Sequence, residues 1–115
     1  MSITIYHNPR CSKSRQALAL LQERGFEPEI IEYLKTPPDK ATLKTILSLL
    51  DLEPRQLMRR KEAVYKELAL DDDSLGNDDL IEAMIDNPVL IERPIVLANG
   101  RAAIGRPPEN VLEIL

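Results

Sequence analysis

Cysteine is almost absent from this chain of 115 residues, and Cys11 stands alone. A lone cysteine excludes an intramolecular disulfide and any cysteine-based zinc cage. Histidine is as scarce, with His7 the single example, which argues against a histidine-rich metal site. No carboxylate spacing suggests a metal centre, so no bound metal or cofactor is expected. There is no Trp and only one Phe, so the core must be aliphatic. No run approaches the ~20 apolar residues that span a bilayer. The start, Met1-Ser2-Ile3-Thr4-Ile5-Tyr6, lacks the charged opening and apolar stretch of a signal peptide. These absences lead to the expectation of a cytoplasmic protein with no membrane partner, and a monomer is expected.

Acidic residues are missing locally although the chain as a whole is acidic. The net charge is −4, which argues against general nucleic-acid binding. Three windows nevertheless contain no Asp or Glu. Residues 1–22 hold Arg10, Lys13 and Arg15; residues 54–61 hold Arg55, Arg59, Arg60 and Lys61; residues 93–108 hold Arg93, Arg101 and Arg106. Brought together they would form an anion site on an acidic protein; kept apart they are three solvated patches.

What is present is a globular composition, 43% hydrophobic and 30% charged, in a length suited to one domain. Ile3 to Tyr6 alternates β-branched and polar residues and reads as a strand. A turn is expected at His7-Asn8-Pro9-Arg10. The spacing of Ala17, Leu18, Leu20 and Leu21 predicts a helix over Ser12–Arg24, stopped at Gly25. Glu29–Tyr33 reads as a second strand. Thr36-Pro37-Pro38-Asp39 announces a helix carrying Leu43, Ile46, Leu47 and Leu50. Helical patterning continues through Pro54–Leu68 and again over Asp78–Asn87. Asp71-Asp72-Asp73-Ser74 reads as a solvated acidic turn. Pro94–Ala98, Asn99-Gly100 and Arg101–Ile104 form the strongest hairpin signal, because a two-residue turn needs positive φ at both central positions. A last helix fits Pro107–Leu115, with proline early. The order is βαβ, a helical block, then ββα. An α/β thioredoxin-like fold is therefore expected: a mixed four-stranded sheet flanked by helices, in one domain over 1–115, with a helical insertion at about 39–90.

Cys11 falls between a strand-turn and a helix start. Helix N-termini direct unpaired N–H groups and the positive end of the dipole outward, and a thiolate placed there has a depressed pKa and raised reactivity. The alternative is an inert, small buried residue. Cys11-Ser12-Lys13-Ser14 has the spacing of a Cys-x-x-Cys redox motif with serine in the second place. With no second thiol in the chain, a resolving thiol must come from another molecule. A loop leading into a helix also suits an oxyanion, and arginine forks match its geometry.

Ile5-Tyr6-His7-Asn8-Pro9-Arg10-Cys11-Ser12-Lys13-Ser14-Arg15 closely resembles the active-site segment of the glutaredoxin-dependent arsenate reductases, the ArsC family. Glu92-Arg93-Pro94-Ile95-Val96 and Gly105-Arg106-Pro107-Pro108-Glu109 do too, as do Tyr33 to Pro38 and Leu57-Met58-Arg59. The likeness covers essentially the whole chain and is nearest to the short YfgD-like branch. It implies that Cys11 is the catalytic nucleophile and that Arg59, Arg93 and Arg106 bind the oxyanion, with Arg60 the alternative to Arg59. It implies that His7 and Ser14 tune the cysteine, although His7 also fits a turn cap. It implies a cis Arg93–Pro94 bond. Arsenate is the implied substrate, with glutathione as co-substrate and glutaredoxin as partner. Two further readings keep the fold: a thiol oxidoreductase acting on glutathione-mixed disulfides or another oxyanion, and a Spx-like regulator binding RNA polymerase. Many such regulators use a Cys-x-x-Cys switch, which Ser14 removes here.

Overall fold

A computed structural model describes residues 2–115. The chain divides into two compact units, one made of residues 1–36 and 93–115 and the other of residues 37–92. The first unit contains β1 (Ile3–His7), α1 (Ser12–Glu23), β2 (Glu29–Glu32), β3 (Ile95–Ala98), β4 (Arg101–Ile104) and a 3-10 helix over Pro108–Ile114. Its strands lie in the order β2-β1-β3-β4. β1 runs parallel to β2 and antiparallel to β3, and β3 is antiparallel to β4. This mixed sheet flanked by helices is the thioredoxin-like fold.

Alternation along β1 sends Ile3 and Ile5 into a cluster with Val96 and Ala98 of β3, Ala17 and Leu21 of α1, and Val111 and Ile114 of the 3-10 helix. Ala17 and Leu21 stand four apart, on one face of α1. The helix then stops sharply. Gly25 adopts φ +84, its N–H donates to the Gln22 carbonyl, and the Phe26 N–H donates to the Leu21 carbonyl. This pair of bonds satisfies carbonyls that the helix end leaves open, and Phe26 packs back onto the core. The hairpin turn is tight, as expected: Asn99 and Gly100 have φ of 56 and 68, with Ala98 paired to Arg101. The Asn99 side chain also donates to the Ile114 carbonyl at 2.9 Å, tying the hairpin to the last helical segment.

That last segment differs from the expected α-helix. Its buried residues are Pro108, Val111 and Ile114, a spacing of three that matches the three residues per turn of a 3-10 helix. Pro107 and Pro108 also lack the N–H groups that a first α-helical turn would present. A second difference is that His7 completes β1, paired with Glu32, where a turn was expected.

The other unit holds α2 (Lys40–Leu50), α3 (Pro54–Leu57), α4 (Ala63–Glu67), α5 (Asn77–Asp86) and a short 3-10 turn at Pro88–Leu90. Asp39 caps α2 by accepting the Thr42 N–H at 2.7 Å. The helical pattern over Pro54–Leu68 resolves into two short helices. Met58 is extended and forms an antiparallel bridge with Ile91. The Arg59 N–H donates to the Leu90 carbonyl at 2.7 Å and the Glu92 N–H to the Leu57 carbonyl at 2.9 Å. Pairing with a second strand segment thus takes the groups that a continuous helix would have used internally. Arg55 braces this unit through the Tyr65 hydroxyl and the Leu70 and Asp72 carbonyls. Among the described residues, no helix is long and apolar enough to cross a membrane.

Gly105 closes β4 where backbone and side chains crowd together. A Cβ there would lie 2.7 Å from Pro94 Cγ and 3.2 Å from Ala17 Cβ, and the Gly105 N–H donates to the Pro94 carbonyl at 2.9 Å. Gly105→Ala is expected to cost about 1–3 kcal/mol through overpacking, seen as a fall of several degrees in the thermal midpoint. An unchanged midpoint would show that the junction yields freely.

Candidate active site

β1 delivers the chain to a three-residue loop, and Cys11 follows as the N-cap of α1 with extended backbone (φ −92, ψ 122). The loop is held by its own backbone. The Cys11 N–H donates to the Asn8 carbonyl at 3.0 Å, and the Arg15 N–H donates to the Cys11 carbonyl at 3.0 Å. Asn8 Oδ1 accepts the Arg10 N–H at 3.0 Å, an Asx turn that Asn is suited to make. Arg15 Nη1 donates to the Pro9 carbonyl at 3.2 Å, so this guanidinium folds back over the loop.

His7 and Ser14 meet beneath the loop, both buried. His7 Nδ1 and Ser14 Oγ are 2.6 Å apart, and Ser14 Oγ also accepts the Asn8 N–H at 3.0 Å. Burial pushes the His7 pKa down, and Arg15 adds to this against an opposing pull from Glu32. The ring is therefore neutral near pH 7. Whichever partner supplies the hydrogen, the pair ties the end of β1 to the first turn of α1 and fixes where Cys11 sits.

Cys11 is 8% exposed. Burial is the largest single influence on its thiol and opposes ionisation. The backbone N–H of Ser14, the Arg93 guanidinium, the backbone N–H of Lys13 and the Arg106 guanidinium together outweigh it, so the pKa lies below the ordinary thiol value. Arg106 reaches the sulfur, with Nη2 3.8 Å from Cys11 Sγ. Its other edge is anchored, since Nε donates to the Arg93 carbonyl at 2.9 Å. The Arg106 carbonyl in turn accepts the Asn110 side-chain amide at 3.1 Å. The Arg93–Pro94 and Arg106–Pro107 peptide bonds are both cis. A thiolate beside two guanidinium groups and the open amides of a helix start can attack an electrophilic centre and hold oxyanion charge as it does so.

Five of the predicted site residues therefore gather in the first unit: Cys11, His7, Ser14, Arg93 and Arg106. Arg59 belongs to the second unit, where it is half-buried and ion-paired with Glu62, while its neighbour Arg60 is exposed. The acid-free windows separate in role. Arg101 donates to the Glu113 carbonyl at 3.1 Å, and Arg55 is the brace described above. Asn8 and Gly105 fall within the motif segments without an assigned role, and Asn110 lies outside them; each contacts backbone groups of the site. Among the described residues, no group of three or more His, Cys, Asp or Glu side chains is placed to hold a metal ion.

A buried cysteine with a lowered thiol pKa at the β1–α1 junction of this sheet has the placement of a thioredoxin-like thiol site. Comparison with known proteins is more specific. The sequence profile of the ArsC family matches residues 6–114. The chain is 61% identical over 114 residues to the YfgD protein of Escherichia coli K12, covering 98% of this chain and 96% of that one. It is 57% identical over 114 residues to an arsenate reductase of Neisseria meningitidis serogroup A, covering 98% and 97% of the two chains. A solved arsenate reductase structure from Vibrio cholerae matches with a TM-score of 0.97 at 56% identity, over 100% of this chain and 98% of that one. The chain belongs to the ArsC family, in its YfgD-like branch.

Because Arg106 stabilises only the ionised sulfur, removing its charge should raise the Cys11 pKa. In Arg106→Gln, the pH of half-maximal alkylation by iodoacetamide is expected to move upward relative to wild type. A profile that does not move would mean that the guanidinium exerts no effective field on the sulfur.

Proposed function

We propose that this protein is an arsenate reductase in which the Cys11 thiolate is the nucleophile. The observation that carries this reading is the Arg106 guanidinium 3.8 Å from Cys11 Sγ, at a helix start whose amides lower the thiol pKa. The names of the Neisseria and Vibrio relatives support arsenate as the oxyanion.

The sulfur attacks arsenic(V), a sulfur–arsenic bond forms, and one arsenate oxygen leaves as water after protonation. Arg93 and Arg106 neutralise the remaining oxygens. Arg59 is assigned as the third oxyanion ligand on its motif alone. A glutathione thiolate then attacks the Cys11 sulfur of the adduct. The sulfur–arsenic electron pair stays with arsenic, which departs as arsenite, and Cys11 is left in a mixed disulfide with glutathione. Glutaredoxin removes the glutathionyl group by thiol–disulfide exchange and regenerates the Cys11 thiolate. Two electrons pass from two thiols to arsenic, and no metal or bound cofactor takes part. His7 and Ser14 act on this chemistry by positioning Cys11.

Purified protein supplied with arsenate, glutathione and glutaredoxin should produce arsenite. Cys11→Ser, which keeps the size and the N-cap position, should lose at least about 1000-fold of that rate, as expected when a covalent nucleophile is removed. Arsenite production by the serine variant at the wild-type rate would eliminate the mechanism. Wild-type protein that exchanges with glutathione disulfide yet leaves arsenate untouched would redirect the reading to mixed disulfides.

A further inference from the structure

Three cations flank the nucleophile along the chain, and only Arg15 among them makes a side-chain hydrogen bond within the described residues. Arg10, Lys13 and Arg15 are all exposed and lie in a stretch, residues 1–22, that contains no acid. Four other basic side chains are ion-paired: Lys35 with Glu32, Lys40 with Asp78 and Glu82, Lys44 with Asp78, and Arg59 with Glu62. Among the described residues, no carboxylate lies within 4.0 Å of the charged nitrogens of Arg10, Lys13 or Arg15. Arg15 is turned back to the Pro9 carbonyl at 3.2 Å, which leaves Arg10 and Lys13 as the exposed charges that flank Cys11 along the chain.

The placement is also unfavourable for the helix itself. The start of a helix favours acidic side chains and disfavours cations, yet the first turn of α1 has no acid and carries Lys13 and Arg15. Helix stability therefore does not account for these charges. Neither Arg10 nor Lys13 contributes its side-chain charge to lowering the Cys11 pKa; Lys13 acts there only through its backbone N–H.

We infer that Arg10 and Lys13 form a carboxylate-recognising collar that selects the external thiol meeting Cys11, favouring small anionic thiols and disulfides of the glutathione class. This rests on the proposed reaction, in which an outside thiol must reach the Cys11 sulfur. Glutathione carries more carboxylates than ammonium groups, so its charge complements the collar. Exposed charges of one sign beside a reactive centre raise the encounter rate with oppositely charged partners, and salt screens the effect. The exchange step balances without any other reactant: the Cys11 thiolate attacks one sulfur of glutathione disulfide, a new S–S bond forms, the old one breaks, and a glutathione thiolate leaves.

The test compares the rate of mixed-disulfide formation at Cys11 for three probes: anionic glutathione disulfide, uncharged hydroxyethyl disulfide and cationic cystamine. Wild-type full-length protein and the Arg10→Glu/Lys13→Glu variant are measured at low and high salt. Each rate is divided by the hydroxyethyl disulfide rate, which cancels changes in thiolate fraction. The normalised glutathione disulfide rate should fall at least about tenfold in the double variant at low salt, and that for cystamine should rise. High salt should bring the two proteins together. The thermal midpoint should not drop, because Glu replaces Lys where a helix prefers acid. Equal normalised rates in the two proteins would overturn the inference. So would a preference for glutathione disulfide that salt leaves intact. A wild-type hydroxyethyl disulfide rate no greater than that of an ordinary thiol would instead contradict the activated thiolate, and the charge preference would still be read from the ratios.

Discussion

The structure turns on an opposition at one sulfur atom. Burial raises the cost of charge on Cys11, while the amides at the start of α1 and the guanidinium groups of Arg93 and Arg106 reduce it by more. Neither side of this opposition is local in sequence. Cys11 comes from the junction of β1 and α1, Arg93 from the approach to β3, and Arg106 from the exit of β4. The sheet order β2-β1-β3-β4 sets β1 beside β3 and β3 beside β4, and so brings these three chain positions to one end of the sheet. Gly105, against Pro94 and Ala17, lets the last of them approach closely. Arg106 is then held from two sides, by the Arg93 carbonyl on its Nε and by the Asn110 amide on its backbone. A donor fixed in advance loses less freedom when an anion arrives than a free surface side chain would.

The same arrangement sets the limits of the chemistry. A buried thiol whose ionisation is eased by the cations and amides beside it suits oxyanions and electrophiles, but Ser14 stands where a second thiol would have resolved a disulfide. Its hydroxyl is committed to His7 and Asn8 instead. In the proposed reaction this makes every turnover depend on an outside thiol. The charges left exposed around Cys11 then matter for which thiol arrives, separately from how reactive the sulfur is.

Much of this was legible in the sequence, for physical reasons that differ from place to place. The βαβ and ββα halves followed from period-two and helical patterning, and the Asn99-Gly100 turn from its need for positive φ. Cys11 stood out because a single cysteine at a strand-to-helix junction in an acid-free segment has few structural explanations. The misses share a cause, which is competition from distant partners. Leu57, Met58, Val64, Tyr65 and Leu68 recur at a spacing that also suits a helix, and only the pairing of Leu57 and Arg59 with Leu90 and Glu92 breaks it. The Pro108–Ile114 segment is apolar at positions that fit either helix type, and packing on the sheet selects the one with three residues per turn. The Arg106 bond to the Arg93 carbonyl and the Asn110 bond to Arg106 engage backbone oxygens, which no residue letter encodes. Motif likeness, not periodicity, picked out Arg93 and Arg106 from ten basic residues in the acid-free windows.

The central claim is that the Cys11 thiol ionises more readily than an ordinary thiol despite its burial. The chemical shift of its Cβ, followed by carbon-13 NMR on selectively labelled protein across a pH titration, reads that ionisation without any reagent. The account requires a midpoint clearly below the ~8.5 of a free cysteine. A midpoint at or above that value would mean that burial wins, and the activated nucleophile would be contradicted.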